Sequence, residues 1–239
     1  MLATLALTVV IVVGVVTAVA MTGSGSHREA QPQVTTTDRS SPPSPAPAVP
    51  ISALAGLLLP AEEISRIMAS DPLAVDLRDD SMFDDSALIT DQTCLSAWMP
   101  VEKNVYDNTG WTAVQSQILR AHPKEIWELS VIQAVVAFPS ATKAAGFFTN
   151  QSATWSRCGE QTITHNVIGG SEQKWDFTGM RTTDRTVTLS SSRQGGGGFC
   201  ERALTTRGNV AVDVLACRPE YIGNEGGTIV SNIADKIPQ

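Results

Sequence analysis

The 239-residue sequence is poor in the features that most often mark a nucleic-acid partner or a reaction. Seventeen Lys and Arg against 24 Asp and Glu give a net charge of −7, and the basic residues form no run. A surface that binds nucleic acid needs clustered positive charge, so this composition argues against nucleic acid as a partner. There are only three histidines, of which His165 lies in a strand-like run, and no GxSxG nucleophile elbow. The residues therefore predict no catalytic site, and we expect the chain not to be an enzyme.

Motifs for metals and phosphates are also missing. None of the four cysteines has another cysteine or a histidine within four residues, whereas zinc sites use closely spaced pairs. The "GGGG" at 195–198 lacks the GK[ST] ending of a phosphate loop and leads into a strand, which predicts a flexible loop. The acidic run "DLRDDSMFDD" at 76–85 lacks the spacing and glycine of a calcium loop, so a solvated loop is favoured over a calcium site. No metal and no cofactor is predicted.

One long apolar run stands at the start of the sequence. Residues 2–20 carry no charge, and as a helix they would span about 28 Å, close to the thickness of a bilayer core. We predict a transmembrane anchor over residues 1–21 in a single-pass membrane protein. The alternative is a signal peptide cleaved near Ala20, after the small residues "AVA", with secretion of the rest. The absence of a preceding Lys or Arg and the length of the run favour the retained anchor.

The remainder divides by composition into a linker and a globular part. Residues 22–50 are rich in Ser, Thr, Pro and Gly and hold almost nothing large and apolar, which predicts a disordered linker. Residues 51–239 are long enough for one core. Helical and strand patterns both occur before residue 161, and the pattern is mainly β from Gln161 onward, so the predicted class is α+β. We expect a largely antiparallel sheet with helices packed on it, preceded by the transmembrane helix.

Local patterns predict individual elements. A helix begins after Pro60, and "WTAVQSQIL" forms a strand that pairs with "VIQAVVAF". A second helix begins after Ser140 as N-cap, and a third closes the chain with Ile229 and Ile233 inward. The second helix is expected to bury one stripe, and Trp98, Trp155 and Trp175 are assigned to the core. The predicted stripe consists of Ala141, Ala144, Ala145, Phe148 and Trp155.

The stretch "CERALTTRGNVAVDVLAC", from Cys200 to Cys217, predicts a hairpin with a two-residue turn at Gly208-Asn209. This register places Cys200 opposite Cys217, at a Cα separation of about 4.5 Å that suits a disulfide. Cys94 and Cys158 are then left to join each other. Two disulfides behind an apolar N-terminus place the domain outside the cytoplasm. The same register gives an apolar face with Ala203 and Val212 and a mixed face.

Four stretches are distinctive when taken together. They are "DQTCLSAWMPVE", "GWTAVQSQIL", "QAVVAFPSATKAAGFF…WSRC" and "FCERALTTRGNVAVDVLAC". This set resembles the PknH-like extracellular sensor domain, the outer part of an actinobacterial receptor Ser/Thr kinase that also occurs in lipoproteins and small membrane proteins. The resemblance implies two disulfides, first to second and third to fourth cysteine, and a cleft for an unidentified ligand. This sequence has no kinase domain ahead of its apolar run and no lipoprotein cysteine, so we do not expect it to phosphorylate proteins itself.

The predicted function is a membrane-anchored, non-catalytic sensor of the cell envelope that binds an unidentified small molecule or envelope component. The alternatives are an envelope hydrolase and a structural protein that docks on a membrane-protein partner. Candidate cleft residues are an edge tryptophan, two arginines suited to an anionic ligand, and two residues on the mixed face of the hairpin. They are Trp111, Arg181, Arg185, Arg202 and Asp213.

Overall fold

The computed structural model describes residues 47–121, 129–183 and 185–238. The predicted membrane segment at 1–21 and the linker up to residue 46 lie outside these residues. Within the described ranges, no helix combines the length and the apolar character needed to cross a membrane. The ordered contacts begin at Val49, two residues before the predicted boundary at 51, since Val49 is buried against the domain.

Eight strands form one antiparallel sheet in the order β1-β2-β3-β8-β7-β6-β5-β4, which confirms the predicted α+β class. The strands are β1 (Ala74–Asp79), β2 (Ala113–Arg120), β3 (Ser130–Ala137), β4 (Thr162–Asn166), β5 (Glu172–Thr182), β6 (Thr186–Arg193), β7 (Phe199–Arg207) and β8 (Val210–Arg218). The predicted pairing of β2 with β3 is confirmed. The acidic run was expected to be a loop throughout, but its first four residues, 76–79, belong to β1, and residues 77–79 pair with β2.

Within the described residues, five α-helices and three 3₁₀ turns cover the two faces of the sheet. The helices are α1 (Ala61–Ile67), α2 (Leu95–Trp98), α3 (Lys103–Tyr106), α4 (Ala141–Cys158) and α5 (Glu225–Asp235), and the 3₁₀ turns are Ile51–Leu57, Ser86–Leu88 and Gln92–Cys94. One core, with Ile64 and Ile229, lies between the sheet and α1, α5 and the first 3₁₀ turn. The other core, with Trp98 and Trp155, lies between the opposite face and α2 and α4. The central strand β3 is buried along its whole length because both of its faces are covered.

Helix α4 starts as predicted, because the Ser140 side chain accepts a hydrogen bond from the Lys143 amide at 3.3 Å. Its buried stripe differs from the prediction: Phe147, rather than Phe148, packs in the core. Ala141 and Ala145 are exposed. The cause is the disulfide at the helix end, because Cys158 must face Cys94 and therefore fixes the rotation of the helix about its axis. The residues buried with Cys158 are Ala144, Phe147 and Trp155.

The hairpin register is confirmed along its full length, from Arg207 opposite Val210 to Cys200 opposite Cys217. Gly208 has φ +53°, the left-handed conformation that such turns require. The structure forms both disulfides, Cys200–Cys217 with Cα atoms 4.1 Å apart and Cys94–Cys158 with Cα atoms 5.7 Å apart. No cysteine is left free.

Two buried side-chain amides hold the first described residues across the sheet. Asn209 accepts from the Val49 amide at 2.8 Å and donates to the Val49 carbonyl at 3.3 Å. Gln133 does the same with Leu59, at 2.9 and 2.8 Å. Each side-chain amide thus satisfies both the backbone N–H and the backbone carbonyl of one residue, Val49 or Leu59, as a neighbouring strand would. Residue 49 is therefore held at the end of the sheet where the β7–β8 turn lies.

Candidate functional site

An apolar cavity of about 310 Å³ lies at the other end of the sheet, over the core that contains Trp98 and Trp155. This size is at the lower end of the range for small-molecule sites. Its walls come from three places: strands β1 to β3, the end of β4 with the residues after it, and the segment between β1 and β2. The lining residues are Leu77, Phe83, Asp85, Leu88, Met99, Ile118, Arg120, Ile132, His165, Val167 and Ile168. Leu77 and Ile168 are 42% and 83% exposed, so apolar surface continues from the cavity to solvent.

In one wall of this pocket, hydrogen bonds join residues 83–85 to residues 101–103. The Phe83 amide donates to the Val101 carbonyl at 3.0 Å, and the Lys103 amide donates to the Phe83 carbonyl at 2.8 Å. The Asp85 amide donates to Oε2 of Glu102 at 3.1 Å. Phe83 and Asp85 therefore face the pocket because residues 101–103 hold their backbone.

Two carboxyl groups in this wall are partly or fully removed from water. Glu102 is completely buried, and Oε1 has no hydrogen-bond partner among the described residues. Burial, together with the nearby Asp85, raises the pKa of Glu102 to about 7. Burial and the neighbouring Asp84 also raise the pKa of Asp85. This wall therefore gains negative charge as the pH rises through neutrality.

The two basic groups of the pocket contribute little free positive charge. Arg120 forms an ion pair with Asp76 at 2.9 Å. Desolvation lowers the pKa of His165, so its imidazole is neutral at pH 7. His165 packs against Trp98 with ring centroids 5.4 Å apart. The histidine thus forms part of an aromatic wall, and the lining residues that the structure describes offer an anion no unpaired cation.

Two of the predicted cleft residues, Arg202 and Asp213, lie behind this pocket and do not line it. Their side chains are 2% and 4% exposed and form an ion pair at 2.7 Å beneath α2 and α4. Arg202 also donates to the carbonyls of Ser96 and Val214, and its guanidinium lies over the ring of Trp155. The prediction of an open cleft at these two residues is wrong, because α4 covers the mixed face of the hairpin.

The buried pair nevertheless supports the pocket wall. Asp213 accepts hydrogen bonds from the Val101 amide and the Tyr106 hydroxyl, both at 3.0 Å. Val101 has φ +49°, a strained conformation for a β-branched residue that persists only when its surroundings hold it. Val101 in turn accepts from Phe83. The ion pair between Arg202 and Asp213 is therefore linked to the pocket residue Phe83 through the backbone of Val101.

The remaining predicted cleft residues lie elsewhere and are not brought together. Trp111 precedes β2, at the end of that strand farthest from Arg120, and is half-buried against the core. Arg181 and Arg185 are exposed at the end of the β5–β6 hairpin. Arg185 lines a separate groove of about 410 Å³ near the β7–β8 turn, where Arg207 pairs with Asp235 at 3.0 Å. An anionic ligand at Arg181 and Arg185 stays a prediction.

Most of the pocket was missed at the level of sequence. The signals were present but weak: Met82 and Phe83 interrupt the acidic run, and Ile168 stands exposed before two glycines. Neither shows that residues 83 and 168, which are 85 positions apart, share a cavity. That juxtaposition depends on the bridge between Ile89 and His165, which brings the segment after β1 to the opposite edge of the sheet.

The arrangement can enclose an apolar group and offer it one carboxylate, and the described residues contain no cluster of His, Cys, Asp and Glu able to hold a metal ion. Fold and site together define the class of the protein. It is an α+β domain with two disulfides, which are typical of an oxidising compartment, and it has an apolar pocket beside its sheet.

Comparison with known proteins gives the family. Residues 49–237 match the family described as the PknH-like extracellular domain, and the chain belongs to this family. It is 31% identical over 185 residues to the serine/threonine-protein kinases PknH of Mycobacterium bovis and Mycobacterium tuberculosis, covering 77% of this chain. It spans about 30% of the length of these relatives. The crystal structure of the extracellular domain of PknH from M. tuberculosis matches with a TM-score of 0.74 and 31% identity, covering 80% of this chain and 97% of that one. Residues 49–237 are therefore an extracytoplasmic sensor domain.

Proposed function

We propose that this chain is a membrane-anchored, non-catalytic sensor that binds a small apolar or amphiphilic molecule of the cell envelope in the pocket beside Leu77 and Ile168. The observation that carries the proposal is the pocket itself: eight of its eleven lining side chains are apolar, and two of these extend into solvent. Exposed apolar surface that continues into a cavity is typical of a ligand site. The solved relative is the extracellular domain of a kinase, which supports a receptor role.

The test is a thermal-shift screen of the oxidised fragment 44–239 against envelope lipids, glycans and small metabolites. This fragment forms one compact unit, and both cores lie within Val49 to Ile237. A ligand at 100 times its dissociation constant should add about 2.7 kcal/mol of stability. Turnover of any compound that binds would contradict the non-catalytic role and favour an envelope hydrolase.

Variants of exposed apolar residues test whether the ligand binds in this pocket. Leu77→Ser and Ile168→Ser should abolish the shift, because each removes exposed apolar wall without opening the core. Ile51→Ser is the control, since Ile51 is 58% exposed but packs beside the other core. A shift that survives Leu77→Ser and Ile168→Ser would move the site elsewhere, and a screen without any shift would favour a protein partner docked on this surface.

The membrane anchor rests on the apolar run at residues 2–20. Expression of the whole chain followed by carbonate extraction of the membranes tests it. Retention in the pellet is expected for an anchor. Mass spectrometry of the product separates the alternatives, because cleavage near Ala20 would release a secreted domain that begins at about residue 21.

A further inference from the structure

The pocket has an unbalanced charge, and this indicates which ligands it accepts. Of the three polar residues in its lining, Arg120 is already paired with Asp76, and His165 is held neutral by desolvation. Asp85 remains. Among the described residues no group donates a hydrogen bond to its carboxylate, whereas its backbone amide is used by Glu102.

The surroundings of Asp85 add to the negative charge. The segment at 76–85 contains five aspartates and a single arginine, Arg78. Glu102 lies directly behind Asp85, fully buried and with Oε1 lacking a partner. Lys103, which follows Glu102 in the sequence, is engaged with Asp84 at 3.9 Å. A partly desolvated carboxylate without a donor gains most from a ligand that supplies a positive charge or a hydrogen bond.

We propose that the pocket binds a cationic amphiphile, in which an ammonium group meets the Asp85 carboxylate and an apolar chain or ring lies against Leu77 and Ile168. This inference rests on the proposed function and specifies its ligand class. An anionic amphiphile of the same length is disfavoured by repulsion from Asp85 and by the absence of an unpaired cation among the described lining residues. Selection thus comes from repulsion of one charge as well as attraction of the other.

Three probes of equal chain length test the charge: octylamine, octanoate and 1-octanol, each added to the oxidised fragment 44–239 at pH 7.5 and measured by titration calorimetry. We expect octylamine to bind at least about tenfold more tightly than octanoate, with 1-octanol between them. Octanoate binding as tightly as octylamine would overturn the inference and leave the proposed function intact. If no probe binds, both the inference and the proposed apolar site fail.

Variants identify the carboxylate that carries the selection. Asp85→Asn should weaken octylamine about fivefold or more and change 1-octanol less than about twofold. Asp80→Asn is the matched control, because Asp80 belongs to the same acidic run but is exposed and outside the lining. Equal loss in Asp85→Asn and Asp80→Asn would show attraction to the acidic surface as a whole, and would overturn the assignment to Asp85.

The pH dependence gives an independent readout. The groups facing Asp85 and Glu102 are Asp84 with its partner Lys103, and Arg202 acting on Glu102 from β7; the Arg120–Asp76 pair lies across the same pocket. Glu102, whose pKa is about 7, loses its negative charge as the pH falls from 8 to 5, while octylamine keeps its positive charge. The preference for octylamine over 1-octanol should therefore fall at least about threefold over this range. A preference that does not change with pH would overturn the role of these carboxyl groups.

Discussion

Glu102 is the side chain whose charge state responds most directly to pH near neutrality. Its carboxyl is completely buried, and burial, Asp85 and Asp84 together raise its pKa to about 7 from an ordinary value of 4.5. A raised pKa means that the folded state holds the proton more tightly than the unfolded chain. The stabilisation is therefore complete below about pH 4.5 and is lost as the pH rises through 7.

We predict that the wild-type domain loses about 3 kcal/mol of unfolding free energy from this group between pH 4.5 and 8, at about 1.4 kcal/mol for each pKa unit. Glu102→Gln should remove most of this slope, because glutamine still accepts from the Asp85 amide but does not ionise. Urea denaturation at four pH values measures it. Glu201, whose pKa burial also raises, leaves a residual slope in both proteins. The exposed Glu220→Gln is the control, and an unchanged slope in Glu102→Gln would contradict the prediction.

The ion pair between Arg202 and Asp213 shows how strongly environment sets the value of one contact. Asp213→Asn keeps the shape of the side chain but leaves the Arg202 guanidinium buried without a counter-charge, which typically costs about 3–5 kcal/mol. Asp235→Asn breaks a pair of similar geometry, in which the aspartate is 77% exposed, and should cost less than about 1 kcal/mol. Denaturation of the two variants side by side measures the contrast, and similar losses in both would show that the buried pair is not a stability determinant.

At the level of elements, the two disulfides constrain very different parts of the chain. Cys200–Cys217 closes 17 residues of a hairpin, whereas Cys94–Cys158 closes 64 residues and joins the segment after β1 to α4. Loop-closure entropy predicts about 3 kcal/mol for the first and about 4 kcal/mol for the second. The double variants Cys200→Ala/Cys217→Ala and Cys94→Ala/Cys158→Ala, compared by denaturation without reductant, test this order. A larger loss from the hairpin variant would show that strain or residual structure outweighs the loop term.

The hairpin was predictable because its information is local. A Gly-Asn turn sets the register, and period-2 alternation then assigns every residue of β7 and β8 to a face. Helix α4 was predictable in extent from Ser140, but not in rotation, since Phe147 and Phe148 are equally apolar. Which of them is buried depends on the bond between Cys158 and Cys94, 64 positions away.

The candidate site was even less predictable from local sequence patterns than the rotation of α4. Arg202 and Asp213 were placed correctly on one face of the hairpin, but the sequence does not show that α4 covers that face. The pocket itself joins Leu77 on β1 with Ile168 after β4, from opposite edges of an eight-stranded sheet. The hydrophobic periodicity of the sequence does not predict that Leu77 and Ile168 lie close together, because their proximity depends on how the segment after β1 reaches β4.

At the scale of the whole domain, the pocket and the entry of the chain lie at opposite ends of the sheet. Val49 is held by Asn209, next to Val210 at the start of β8, whereas the pocket residue Ile132 pairs with Leu215. Five residues of strand separate the two positions by about 17 Å. Strands β3 and β8 are hydrogen-bonded to each other and run from the pocket to the residues that hold Val49.

The segment between β1 and β2 lies against β4 on one side of the pocket. It meets β4 through the bridge between Ile89 and His165 and through the Thr90 amide, which donates to the Thr164 carbonyl at 3.1 Å. A ligand in the pocket would contact this segment, β1 and the end of β4 at once, and would therefore reduce their separate opening.

We predict that octylamine slows amide exchange at 82–90 and 163–168, by about tenfold at saturation, at labelling times short relative to global unfolding. The amides of α5 and of the β7–β8 turn should not change at these times, because they pack on the other face of the sheet, around Ile229 and Val210. Hydrogen-exchange mass spectrometry measures both regions in one experiment, and Leu77→Ser, which removes apolar wall, should show no effect of the probe. Protection confined to α5 and the turn would instead assign the probe to the groove beside Arg185. That result would contradict the proposal that the pocket is the ligand site.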